Sequence, residues 1–109
     1  MINDLQEKME REVLMLLLRE KPAFLDQLST ASVTKREFTG VGVYTHYHVN
    51  GIVSFEEDLH ISGVGAKINN NIQIGFLLFI KKGRLDFLEC YTYDDPWPNV
   101  IECYEVFTH

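Results

Sequence analysis

The chain has 109 residues, of which 46% are hydrophobic and 24% are charged, and this composition is typical of one folded domain rather than a disordered segment. Its formal net charge is −6 at pH 7. Binding to a phosphate backbone requires clusters of Lys and Arg, so this charge excludes nucleic acid as an expected partner.

The amino terminus and the apolar runs indicate a cytoplasmic protein. Residues 1–13 are charged from Asp4 onward and lack the apolar core of a secretory signal. The longest apolar run, residues 13–18, is far shorter than the roughly 20 residues that cross a bilayer, so no membrane partner is expected. Cys90 and Cys103 are predicted to be free thiols, because disulfides are rare in a reducing compartment.

The first part of the chain has a helical pattern. Five apolar residues recur at helical spacing, namely Leu5, Met9, Val13, Leu16 and Leu17. They predict an amphipathic helix over about residues 4–20. Pro22 ends this helix, because the residue before a proline disfavours helical backbone angles. A short second helix is expected over residues 23–28, with Pro22 at its first turn.

From about residue 32 onward the apolar residues recur with a period of two, which predicts strands. Residues 33–49 are expected to form one long bent strand or a hairpin, and Gly40 and Gly42 within them leave a flat patch or mark a bulge. Further strands are predicted over residues 52–55, 59–68, 73–80, 84–93 and 99–107.

Helices followed by strands predict an α+β fold in a single domain, residues 1–109. An N-terminal helix or helix pair, about residues 4–30, packs on a twisted antiparallel sheet of about five to six strands, about residues 33–107. The second face of such a sheet can stay solvated, and an exposed sheet face is a common place for a binding surface.

Three histidines are the strongest candidates for a metal site. His46 and His48 lie on one side of a predicted strand, and His60 can approach from a neighbouring strand. Paired histidines on strands are more often surface or partly buried polar residues, so neither a metal nor another cofactor is expected. A small-molecule or metal-binding domain that uses His46, His48 and His60 remains the alternative function.

No sequence pattern indicates an enzyme. A nucleophile elbow and a glycine-rich phosphate loop are absent from the sequence. Glu89 with Asp94, or Asp86 with Glu89, has the composition of a glycosidase pair. Isolated carboxylates on a strand are more often solvated surface groups, so we expect no catalytic residues.

The last quarter of the chain is acidic and aromatic. Residues 85–109 contain no Lys or Arg, and their carboxylates belong to Asp86, Glu89, Asp94, Asp95, Glu102 and Glu105. Strand alternation puts Leu85, Phe87, Glu89, Tyr91 and Tyr93 on one side. Rings beside carboxylates suit an interface with a basic protein, because rings supply buried area and the charges speed encounter. Alternatively, the rings belong to the core and the acids are merely solvated.

Two segments carry a resemblance to a class of known proteins. The stretch GFLLFIKKGRLDFLECYTYDDPWP, residues 75–98, and the stretch REFTGVGVY, residues 36–44, together resemble small, uncharacterised bacterial proteins of immunity type. That pattern has Gly where Cys90 stands here, which argues against a role for this thiol.

The resemblance implies a cytoplasmic, non-enzymatic inhibitor that neutralises a protein toxin, often a basic nuclease, delivered by neighbouring bacteria. The residues expected to contact such a toxin are Asp86, Glu89, Tyr91, Tyr93, Asp94, Asp95 and Trp97. A homodimer is a further alternative, since exposed edge strands in a small sheet invite pairing.

Overall fold

The computed structural model describes residues 4–50 and 56–109 and confirms the α+β fold. Helix α1 (Asp4–Leu17) and the short α2 (Pro22–Leu25) are followed by one 3-10 turn (Asp26–Ser29). The strands are β1 (Ser32–Phe38), β2 (Gly42–His48), β3 (Leu59–Ile61), β4 (Val64–Ile68), β5 (Ile72–Lys81), β6 (Arg84–Thr92) and β7 (Tyr104–Thr108). The strand predicted over residues 52–55 lies outside the described residues.

All seven strands form one antiparallel sheet in the order β1-β2-β6-β5-β4-β7, and β3 also pairs with β5. The sheet has more strands than predicted because the strand expected over residues 59–68 is interrupted. From Ile61 to Gly65 the chain advances four residues, whereas its partner β5 advances three, from Leu78 to Gly75. The surplus residue breaks the ladder near Gly63, whose φ is 117°.

One face of the sheet packs against α1. The helix contributes Met9, Val13 and Leu14, each without exposed surface, and the sheet contributes residues such as Phe76 and Leu88. Helix α1 ends at Leu17 rather than near residue 20. Before Pro22 the backbone N–H groups of Arg19 and Lys21 bond to carbonyls three residues earlier, which is a tighter turn than the α-helix. The amphipathic pattern of the sequence therefore predicts the helix face correctly.

A charged cluster lies inside this core. Glu10 of α1 is 1% exposed, and its carboxylate accepts hydrogen bonds from Arg36 at 2.7 Å and from the Thr45 hydroxyl at 2.6 Å. Burial alone lowers the pKa of Arg36, but the hydrogen bond to Glu10 and its negative charge leave the pKa raised. Because Arg36 and Thr45 are paired across β1 and β2, the cluster ties the helix to these two strands.

The β5–β6 hairpin is held by a buried glutamine. Gln27 donates to the Gly83 carbonyl at 2.7 Å, and its side-chain oxygen accepts from the Leu85 backbone N–H at 3.0 Å. The turn residues Lys82 and Gly83 both have positive φ, at 51° and 77°, as a two-residue hairpin turn requires. The backbone N–H of Lys82 donates to the Asp58 carboxylate at 2.6 Å.

Strand β6 contains a bulge at Asp86 that the sequence pattern does not reveal. Phe79 pairs with Phe87, but the next residue of β5, Ile80, pairs with Leu85, which leaves Asp86 without an opposite residue. Leu85 is 2% exposed and belongs to the core. The prediction that Leu85 shares the side of Phe87 is therefore wrong, because the bulge shifts the alternation by one residue.

The last strand begins later than predicted. Residues 99–103 form an irregular connection, and β7 starts at Tyr104. Asn69, in a left-handed conformation with φ of 51°, binds this connection through the Val100 carbonyl at 3.0 Å and the Glu102 backbone N–H at 2.7 Å. The connection therefore bonds to a turn instead of extending the sheet.

Among residues 4–50 and 56–109, no helix has both the length and the apolar composition that crossing a bilayer demands.

Candidate binding face

The face of the sheet opposite α1 is the candidate functional site, and we call it the open face. Its central strands present half-buried side chains at the positions that alternate with the core residues. The side chains at its centre belong to Tyr44, His46, Leu77, Phe79, Phe87, Glu89 and Tyr91. In the described part of the chain, α1 packs only against the other face. The open face is thus a candidate contact surface.

Aromatic rings cross the open face in one row. His46, Phe87, Phe79 and His60 follow one another from β2 through β6 and β5 to β3, with ring centroids 5.4, 4.3 and 5.5 Å apart. Phe87 and Phe79 stack with 19° between their planes. Tyr44 meets Phe87 edge to face at 5.7 Å. We call these five residues the ring row.

The ring row is not apparent in the amino-acid sequence. Phe79 and Phe87 are paired across β5 and β6 because of the bulge at Asp86; regular pairing from the Lys82-Gly83 turn would set Phe79 opposite Asp86 instead. His60 and Tyr44 depend on strand order, which alternation within a single strand does not contain. The row therefore becomes visible only in the folded sheet.

Tyr91 lies on the open face beyond the ring row, and a glycine positions it. Gly75 pairs with Tyr91, and a Cβ atom on Gly75 would be 2.6 Å from the tyrosine ring. The ring can therefore lie flat over the backbone of β5. Tyr93, which is 60% exposed, meets Tyr91 edge to face with centroids 5.7 Å apart. Burial and the neighbouring Tyr93 and Glu89 raise the pKa of Tyr91.

Three of the predicted contact residues, Glu89, Tyr91 and Tyr93, follow one line along β6 together with Phe87. Phe87, Glu89 and Tyr91 alternate with buried residues, and Tyr93 continues the line. Glu89 stands opposite Tyr44 on one side and Leu77 on the other. The structure thus brings Glu89, Tyr91 and Tyr93 together on the open face.

The remaining predicted carboxylates lie at the two ends of this line. Asp94 and Asp95 are exposed in the segment after β6. Asp86 is half-buried at the bulge near the other end, about 25 Å from Asp94 at the usual rise of a strand. The acids therefore border the open face at both ends instead of forming one compact cluster.

Trp97 does not share the open face, which corrects the expectation of one common patch. Its backbone N–H donates to the Gly40 carbonyl at 2.8 Å, and its side chain packs against the core. It borders a cleft of about 240 Å³ together with Gln6 of α1 and Phe38. The bond to Gly40, whose φ is 94°, places the indole on the helix side of the sheet end.

The three histidines do not converge. His46 and His48 lie on the same side of β2, as predicted, but they bind different oxygens, those of Glu37 at 2.5 Å and Asn50 at 3.0 Å. His60 is three strand spacings from His46, about 14 Å away, with Phe87 and Phe79 between them. The expectation that His60 approaches this pair is therefore wrong. Within residues 4–50 and 56–109, no three His, Cys, Asp or Glu side chains are grouped to hold a metal.

The core thiol next to the open face is chemically shielded. Cys90 is 1% exposed on the covered side of β6 and is not in a disulfide. Burial, and secondarily the negative charge of Glu10, raise the pKa of Cys90 well above its ordinary value. Because the thiolate is the reactive form, Cys90 serves as a small apolar core residue.

Comparison with protein-family models, with curated proteins and with solved structures finds no match to this chain, so the candidate face rests on its own geometry.

Proposed function

We propose that this chain is a non-enzymatic inhibitor that binds a basic protein toxin through the open face and thereby neutralises it. The observation that supports the proposal is the line of rings and carboxylates along β6, on the face that α1 leaves uncovered. The resemblance of residues 36–44 and 75–98 to immunity-type proteins favours a toxin with a nuclease domain as the partner.

The chemistry of the open face suits protein binding better than catalysis. Half-buried rings supply contact area with few rotatable bonds, so they lose little conformational entropy when a partner covers them. Glu89 lies between Phe87 and Tyr91 along this line, where a cationic side chain of the partner would pair with it. The net charge of −6 attracts a basic partner from a distance and speeds encounter.

The proposed mechanism is occlusion. A basic nuclease binds the phosphates of its substrate through Lys and Arg side chains. Those Lys and Arg side chains would instead form ion pairs with the carboxylates of Glu89, Asp86 and Asp94. Phe87 and Tyr91 would pack against apolar surface nearby. An inhibitor of this kind works in the cytoplasm, where a delivered nuclease meets its substrate.

The test uses the product of the adjoining gene, because immunity proteins are encoded beside the toxin that they block. That product is expressed in cells with and without this chain, and growth is measured together with binding of the two purified proteins. We expect growth only when this chain is present. The triple variant Asp86→Lys, Glu89→Lys and Asp94→Lys should weaken binding by about 100-fold or more and abolish protection.

A matched control changes the net charge by the same amount at positions away from the open face. Glu20, Asp26 and Glu102 are exposed and lie away from the open face, so their triple exchange to Lys should retain protection. If both triple variants bind equally well, the open face is not the binding surface. If the adjoining product is harmless, or if this chain does not bind it, inhibition of an adjacent toxin is refuted.

A further inference from the structure

At the end of the ring row the open face contains a cleft of about 270 Å³. Its lining includes the rings of Phe79, Phe87 and His60. It also includes the carboxylates of Asp58 and Asp86 and the side chain of Lys81. Binding sites for drug-sized ligands begin at about 300 Å³. The cleft lies just below that range and has room for one long side chain.

The two carboxylates lie on segments that flank β5, with Asp86 in β6 and Asp58 just before β3. Asp86 occupies the β6 bulge, a feature that redirects a side chain and is common next to binding sites. One oxygen of Asp58 accepts the Lys82 backbone N–H at 2.6 Å, which fixes this carboxylate beside the hairpin turn. In the part of the chain that the structure describes, neither carboxylate has a Lys or Arg side-chain nitrogen within 4 Å.

We propose that this cleft receives an arginine side chain of the partner protein. A guanidinium group is planar and weakly hydrated, so it packs against rings while its N–H groups donate to carboxylates in the same plane. Lysine fits less well, because its ammonium is a compact, strongly hydrated charge. That the arginine belongs to a toxin rests on the proposed function; that the cleft binds a guanidinium does not.

Lys81, the other charged group of the cleft, predicts the direction in which substitutions change guanidinium binding. Lys81 is exposed and repels a second cation. Removal of Lys81 should therefore strengthen guanidinium binding, whereas neutralising Asp86 should weaken it. A site that is merely acidic and apolar, without guanidinium selectivity, does not distinguish arginine from lysine.

The experiment titrates the full-length, isotope-labelled chain with Nα-acetyl-arginine methylamide and follows the backbone amide signals by NMR. We expect saturable shifts confined to residues 58–60, 79–81 and 84–87, with a Kd of about 1–10 mM, as a single side chain provides little binding free energy. The neutral, nearly isosteric citrulline analogue and the lysine analogue should each bind at least about fivefold more weakly.

Conservative variants locate the site. Asp86→Asn should weaken arginine binding about fivefold, Lys81→Ala should strengthen it about twofold, and Asp94→Asn at the far end of the open face should leave it unchanged. Asp58→Asn is a second variant, since Asn retains an oxygen for the Lys82 N–H. Unchanged amide signals away from the cleft and an unchanged Tm establish that each variant folds.

Equal binding of the citrulline analogue, shifts outside the cleft, or no effect of either Asp→Asn change would overturn the inference. The titration uses no toxin, so its outcome is separate from that of the inhibition test. If arginine fails to bind while the open-face triple variant still abolishes inhibition, the cleft is refuted and the proposed function stands. If arginine binds selectively while the adjoining gene product is harmless, the guanidinium site is supported and the proposed toxin is refuted.

Discussion

The two faces of the sheet are built from the same strands but use their side chains differently. On β5, Phe76 is 2% exposed beneath α1, whereas Phe79 is half-buried in the ring row. The covered face fills the core and holds a paired charge, Glu10 with Arg36. The open face has rings beside carboxylates and no helix over them among the described residues. The residues that stabilise the fold and those proposed to bind a partner therefore lie on opposite sides of a single sheet.

The largest expected difference between the faces comes from two phenylalanines of β5. Phe76→Ala should lower the free energy of unfolding by about 3–5 kcal/mol, because it leaves a cavity in the core. Phe79→Ala, its control on the open face, should cost about 1–2 kcal/mol, since only ring contacts and partial burial are lost. Chemical denaturation measures both. Equal losses would show that the open face is as important to stability as the core.

A second test removes the buried charge pair. Arg36→Ala should lower the free energy of unfolding by about 3–5 kcal/mol, because the Glu10 carboxylate loses its partner while it stays buried under α1. Lys8→Ala, at an exposed position of the same helix, should change it by less than about 0.5 kcal/mol. A small effect of Arg36→Ala in denaturant unfolding would mean that water reaches Glu10.

Tyr47, on the covered face, makes the free energy of unfolding depend on pH under alkaline conditions. Burial, with the charge of Glu10, raises the pKa of Tyr47 above its ordinary value of 10.0, so above pH 10 the folded protein retains a proton that the unfolded chain has lost. Stability is thus fully present below pH 10 and falls as pH rises further, by up to about 1.4 kcal/mol per pH unit for this group.

Tyr47→Phe should flatten that decline, because phenylalanine cannot ionise. Denaturant unfolding measured at several pH values above 10 provides the slopes for the original protein and the variant. Identical slopes would assign the alkaline loss to other groups. One such group is Tyr104. Burial and a hydrogen bond to Glu12 raise the pKa of Tyr104 to about 12.

The smallest expected stability effect concerns the positioning of Tyr91. Gly75→Ala introduces a methyl group 2.6 Å from the tyrosine ring, so the ring must swing away toward solvent at a cost of about 1 kcal/mol. NMR contacts between Tyr91 and Tyr93 should disappear in this variant. Gln73→Ala, on the same face of β5, should preserve them. If Gly75→Ala retains these contacts, the glycine does not position Tyr91.

The main elements of the fold could be predicted, but the composition of the site only in part. Alternation on β6 correctly grouped Glu89, Tyr91 and Tyr93. It failed at Leu85, because a one-residue bulge reverses the alternation and leaves no mark in the apolar pattern. It also could not place Trp97, whose position depends on a backbone bond to Gly40 in a distant turn.

The sequence by itself determined that α1 lies on one face of an antiparallel sheet, because the helical and strand periods of its apolar residues specify which side chains are buried. It also determined the two strands on either side of the Lys82-Gly83 turn, where Gly83 readily adopts the positive φ that the turn requires. Only the tertiary structure decided that Phe87 and Phe79 stand between His46 and His60, and that Asp58 and Asp86 share a cleft. Strand order and register bring residues together from distant parts of the chain, and no local pattern contains that information.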